Sequence, residues 1–124
     1  MNLIISNSSG RPIYEQITSQ IKNMILTGML KEGDALPSMR LLAKELRISV
    51  ITTKRAYDDL ERDGFIESFT GRGSFVARKN LEFMREEQLK VAEDFLKQAV
   101  YTAKSSGITQ EELVEILRVL YEEE

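Results

Sequence analysis

The chemistry of this sequence concentrates in a few basic and hydroxyl side chains, set at helix starts and at one loop tip. It is the chemistry of gripping anions. Arg40 lies in the first turn of an expected helix capped by Ser38. A helix N-terminus offers unpaired N–H groups and the positive end of a dipole, and a guanidinium beside it completes a phosphate clamp. The alternative for Arg40 is a surface ion pair with Asp34 or Glu45. Arg72 stands between Gly71 and Gly73, just after Thr70, at the tip of an expected hairpin where packing has no use for it. A guanidinium there suits the negative potential of a narrow minor groove, and the glycines let backbone approach a phosphate. The alternative is a solvated turn residue. A third cluster begins at Ser49. Its helix places Thr53, Ala56, Tyr57 and Leu60 inward, at i, i+3, i+4 and i+7. Val50, Ile51, Lys54 and Asp58 then lie opposite, with Thr52 and Arg55 flanking them. Apolar side chains at a groove floor touch thymine methyls, while Thr52 and Lys54 reach phosphates or base edges. Packing of Val50 and Ile51 against another part of the protein is the competing reading.

Other chemistries are poorly supplied. Among 124 residues there is no histidine and no cysteine. The commonest general base, the commonest metal ligand, thiolate sites and disulfides are therefore all missing. The carboxylates are scattered along helical faces, without metal-ligand spacing. Gly71-Arg72-Gly73 lacks the remainder of a nucleotide-binding fingerprint. No enzyme activity, no metal and no cofactor are expected. The Met1–Ser6 start has no basic region before an apolar run, so no secretory signal is expected. No apolar run approaches the ~18 residues of a membrane span. The expectation is a soluble cytoplasmic protein, associated with the nucleoid and not with a membrane.

Net charge is −3, but its distribution is uneven. Residues 1–80 hold 12 Lys/Arg against 9 Asp/Glu, or +3, and residues 81–124 hold 5 against 11, or −6. A basic head on an acidic tail fits an anionic partner for the head alone.

The elements that must position these residues are mostly helices. Pro12 suits a first helical position. Ile13, Ile17, Ile21 and Ile25 recur every four residues, so a helix is expected over about 12–27, stopped by Gly28. Gly33-Asp34 and Pro37 mark a connector, in which Ala35-Leu36 reads as a very short strand. A second helix starts at Ser38, and Arg47-Ile48 breaks it. A third runs from Ser49 to Arg62 or Asp63, closed by Gly64. Helix, short turn and helix form a helix-turn-helix. The period then changes: Phe65–Phe69 and Ser74–Ala77 are rich in β-formers, and Thr70-Gly71-Arg72-Gly73 links them as a hairpin. From Leu81 the pattern is helical again until Ser105-Ser106-Gly107. Thr109 and Glu112 then form a capping box for a last helix. The expected fold is mainly α with a small β-hairpin wing, as a winged helix-turn-helix over 1–80, plus a two-helix dimerisation tail over 81–124.

Taken in order, these segments resemble the GntR family of bacterial regulators. The resemblance is carried by Pro12-Ile13-Tyr14-Glu15-Gln16-Ile17, Pro37-Ser38-Met39-Arg40-Leu41-Leu42-Ala43, Leu46-Arg47-Ile48-Ser49 with Thr52, Ala56-Tyr57 through Phe65-Ile66, and Gly71-Arg72-Gly73-Ser74-Phe75-Val76. It covers about residues 10–78. It implies a winged-helix head that contacts DNA through Arg40, the start of the third helix and the wing. The short tail looks like that of the YtrA-type subfamily, which dimerises and often controls transporter operons. Two departures stand out. Thr53 replaces an inward valine and brings a hydroxyl that needs a partner. Val50 and Ile51 replace polar residues, so the operator is not inherited from relatives.

The tail carries Phe83, Val91, Phe95, Leu96, Leu113, Ile116, Leu117, Leu120 and Tyr121, more apolar surface than two helices can cover between them. A homodimer is expected through this surface. It would read a pseudo-palindromic double-stranded operator with half-sites ~34 Å apart or a multiple of that. The residues themselves specify no effector. A winged helix used for protein–protein contact is the rival reading, because fold does not fix function.

Overall fold

The computed structural model describes residues 1–78 and 81–123. Two compact units emerge, Met1–Leu81 and Glu82–Glu124. The boundary expected after residue 80 lies outside the described residues.

The first unit is built on α1 (Ile13–Leu26), α2 (Met39–Leu46) and α3 (Val50–Arg62). The four-residue isoleucine spacing turns one stripe of α1 inward, and Ile17, Ile21 and Ile25 are fully buried. Pro12 stands at the N-cap, one residue earlier than its expected helical position, and its carbonyl accepts from the Glu15 and Gln16 amides at 3.1 and 3.2 Å. The N-terminal segment is tied to this helix by two glutamines one turn apart. The Gln16 side chain accepts from the Ser6 amide at 2.8 Å and donates to the Ser6 carbonyl at 2.9 Å. Gln20 repeats the exchange with Ile4, at 2.9 and 2.7 Å.

Both α1 and α2 pack on α3, whose inward side is the predicted set Thr53, Ala56, Tyr57 and Leu60. The Thr53 hydroxyl donates to the Ser49 carbonyl at 3.3 Å, a bond to the preceding turn that satisfies it inside the core. The Tyr57 ring is buried, and its hydroxyl donates to the Pro37 carbonyl at 2.7 Å. Burial, reinforced by the Glu45 charge, raises this phenol above its ordinary ionisation range, so it stays a donor. This bond pins the segment leading into α2 against α3. Tyr57→Phe is expected to destabilise the unit by about 1–2 kcal/mol, since the Pro37 carbonyl loses its partner. Urea unfolding should show a lower midpoint at unchanged slope.

After Gly64 come β1 (Ile66–Phe69) and β2 (Gly73–Val76), an antiparallel pair with Ile66 opposite Val76 and Phe69 opposite Gly73. Ile66 and Val76 are buried. The expected strand at Ala35-Leu36 is present as a single bridge from Ala35 to Phe75, extended by Leu36 N–H to the Ser74 carbonyl at 2.9 Å. The second unit holds α4 (Leu81–Ser105) and α5 (Gln110–Glu122). Between them Ile108 N–H donates to the Ala103 carbonyl at 2.9 Å, and Thr109 with Glu112 forms the predicted capping box. Leu96, Val100, Leu113, Val114, Leu117 and Leu120 line an apolar recess of about 300 Å3 in this unit. The architecture is a winged helix-turn-helix followed by C-terminal helices. Among the described residues no helix is long and apolar enough to cross a membrane.

Candidate nucleic-acid interface

Ser38 has extended backbone, and its hydroxyl accepts from the Leu41 amide at 3.1 Å, which starts α2. Arg40, one residue before Leu41, is exposed. Among the described residues it makes no ion pair, so neither expected alternative partner takes it. Asp34 instead accepts the Lys31 amide at 2.8 Å. The guanidinium and the positive end of α2 are thus presented together.

Ser49 starts α3 in the same way. Its hydroxyl accepts the Thr52 amide at 3.1 Å and shares a proton with the Thr52 hydroxyl at 2.9 Å. Both hydroxyls are therefore held at the helix start. Val50 and Ile51 are exposed by 45% and 81%, so neither is buried in the core of its own unit.

The cations of α3 are less available than their positions suggested. Lys54 Nζ pairs with Asp58 Oδ2 at 2.7 Å, one helical turn away. The Arg55 guanidinium lies over the Tyr14 ring, 3.7 Å from its centroid, in a cation–π contact that ties α3 to α1. Arg62 pairs with Asp59 at 3.0 Å and Asp63 at 3.6 Å. The Lys54–Asp58 pair is legible as an i, i+4 spacing. The Tyr14–Arg55 stack, which sequence reasoning missed, joins residues far apart in the chain and leaves no local signal.

The wing tip is tighter than expected. Gly73 is the first residue of β2, so the loop is only Thr70-Gly71-Arg72. Arg72 N–H donates to the Phe69 carbonyl at 2.9 Å, closing a turn in which Gly71 takes φ +77°. Positive φ at that third position is what a type II turn requires. Phe69 and Phe75 meet behind the tip at 6.1 Å between ring centroids and stiffen it. Thr70, Gly71, Arg72 and Gly73 are all exposed, and Arg72 makes no ion pair among the described residues. One compact unit thus presents Arg40 and Arg72 without ion pairs, together with an apolar helix start.

Known proteins are similar to this chain in sequence and in fold. Residues 13–76 match the family described as bacterial regulatory proteins, gntR family. The HTH-type transcriptional repressor YtrA of Bacillus subtilis is 37% identical over 114 residues, which span 92% of this chain and 88% of the repressor. Among solved structures, a transcriptional antiterminator from Listeria monocytogenes EGD-e superposes with a TM-score of 0.77 at 28% identity, over 98% of this chain and 91% of its own. AraR(DBD), solved in complex with operator ORX1, superposes with a TM-score of 0.55 at 25% identity, over 62% of this chain and 96% of its own. Matched by the family over its helix-turn-helix and wing, and by a YtrA repressor over most of its length, the chain belongs to the gntR family of bacterial regulatory proteins, which are DNA-binding transcription regulators and not enzymes.

Proposed function

We propose that the chain is a transcriptional repressor that reads a pseudo-palindromic operator as a homodimer. Residues 1–80 hold the DNA and residues 81–124 join two copies. Following the YtrA-type resemblance, the controlled genes belong to a transporter operon. The observation that carries the reading is the exposed Val50-Ile51 pair at the capped start of α3, in the unit that also presents Arg40 and Arg72 without ion pairs. Arg40 clamps a phosphate and Val50 and Ile51 approach base edges. Ser38, Ser49, Thr52, Lys54 and Arg55 support these contacts, and the Thr70–Gly73 loop brings Arg72 to the adjacent minor groove. The AraR domain, solved on its operator, supports DNA over a protein partner for this fold.

The test is a gel shift with a duplex of the gene's own upstream region. Retardation should be competed by that duplex far better than by unrelated DNA. A chain that retards neither is no DNA reader. A binding-site selection with wild type and Arg72→Ala side by side tests the wing. The variant should bind about tenfold more weakly, lose any A·T preference at the outer edge of each half-site, and keep the central preference. Identical flanking preference would reduce the wing to a passive hairpin.

A further inference from the structure

We propose that Arg47, in the turn between α2 and α3, is a further DNA-contacting residue, held in a backbone conformation that its side chain disfavours. The inference rests on the DNA-reading function above. Helix α2 ends with Ile48 N–H donating to the Ala43 carbonyl at 3.0 Å and Arg47 N–H donating to the Lys44 carbonyl at 3.3 Å. These two bonds define a Schellman ending, whose left-handed position is usually glycine. Arg47 occupies it at φ 57° and ψ 48°. Every other described residue with positive φ is a glycine.

A β-carbon in this conformation crowds the following carbonyl oxygen. Glycine would remove the crowding at no loss of packing, because the Arg47 side chain is exposed. Nor does the guanidinium compensate locally: among the described residues it makes no ion pair and stacks on no ring. A strained residue that nothing in its own fold rewards points to a contact outside the chain. Its place says which contact. Arg47 lies two residues before the Ser49 cap and three before Val50, the first residue of α3. A helix start that enters a major groove carries the residues just before it past the sugar-phosphate rim. A guanidinium, always charged and with five fixed donors, suits a phosphate there. Arg40 and Arg47 then hold the backbone from the two ends of α2.

The experiment compares the full-length wild type with Arg47→Gly, Arg47→Gln and Arg47→Lys. The probe is a labelled duplex of the gene's own upstream region, titrated over a series of salt concentrations, with melting temperature measured in parallel. Arg47→Gly should melt at or a few degrees above wild type yet bind about tenfold more weakly, with a salt slope shallower by ~0.9 per lost contact, or ~1.8 for a two-fold dimer. Arg47→Gln keeps the strain and drops the charge, so it should melt like wild type and lose binding like the glycine variant. Arg47→Lys should retain most of the affinity. Wild-type affinity and slope in both the Gly and Gln variants would overturn the proposal and leave Arg47 a helix-end residue. A wild type that binds no duplex at all would instead overturn the DNA-reading function itself, and this inference with it.

Discussion

Replacing Leu117 and Leu120 together by glutamate in the full-length chain is expected to convert a dimer into a monomer and to lower affinity for a two-half-site operator by 100-fold or more. Both residues lie on the apolar stripe of α5, exposed by 42% and 57%, and the outermost aromatics Phe95 and Tyr121 are exposed by 66% and 85%. At about 25 cal/mol per Å2, apolar surface on this scale favours a second copy. In a two-fold interface each substitution acts twice, so four carboxylates would have to enter an apolar seam, each at a penalty of several kcal/mol. Glutamate is a good helix former, and the Thr109–Glu112 capping box stays in place, so α5 itself should persist. Circular dichroism checks that point, and sedimentation reads the assembly. The affinity loss follows because one tethered half-site no longer raises the effective concentration of the other, an advantage worth about 10²–10⁴. Unchanged sedimentation of the double variant would mean that the tail is not the interface.

The second large effect is expected at Arg40. Arg40→Ala should weaken binding to every DNA sequence by about tenfold or more, as losing a charged hydrogen bond in each of two protomers implies. The salt dependence should flatten by ~0.9 per lost phosphate contact, ~1.8 in a two-fold dimer. Stability should hold, because Arg40 is exposed and makes no ion pair among the described residues. Val50→Ala and Ile51→Ala should do the opposite, shifting preference among sequences at an unchanged salt slope, as expected of side chains that meet base edges. Titration of operator and unrelated duplexes across salt concentrations separates the two patterns. An unchanged slope for Arg40→Ala would place its guanidinium away from phosphate.

The helix-turn-helix was legible in the sequence because its signals are local. Ser38 and Ser49 each precede an apolar repeat, the isoleucines of α1 recur every four residues, and paired glycines bracket the wing. What stayed hidden depends on distance or on backbone angle. Gln16 and Gln20 carry no local signal of their role, yet they stitch down the N-terminal segment. Arg47 read as a simple break, because a left-handed arginine has no sequence signature when glycine is the usual occupant. Arg55 read as flanking the outward face of α3, and its stack on Tyr14 appears only when α1 and α3 pack. The inward and outward sorting of α3 was readable residue by residue. The engagement of its cations was not, apart from the one-turn spacing of Lys54 and Asp58.

That engagement bears on time. A repressor travels to its site by sliding and hopping along unrelated DNA, held there by charge alone. Every free cation on the reading surface prolongs each stop at a wrong address. In this protein Lys54 is turned to Asp58 and Arg62 to Asp59 and Asp63, while Arg55 rests on Tyr14 with its charge intact, so two of the three cations of α3 face an acidic neighbour before any DNA is met. Under the DNA-reading function proposed above, more of the grip would then come from the flanking arginines Arg40 and Arg72. Under the same reading, stops at mismatched sequence would be brief, the survey of the chromosome quick, and a small number of copies enough to keep an operator filled.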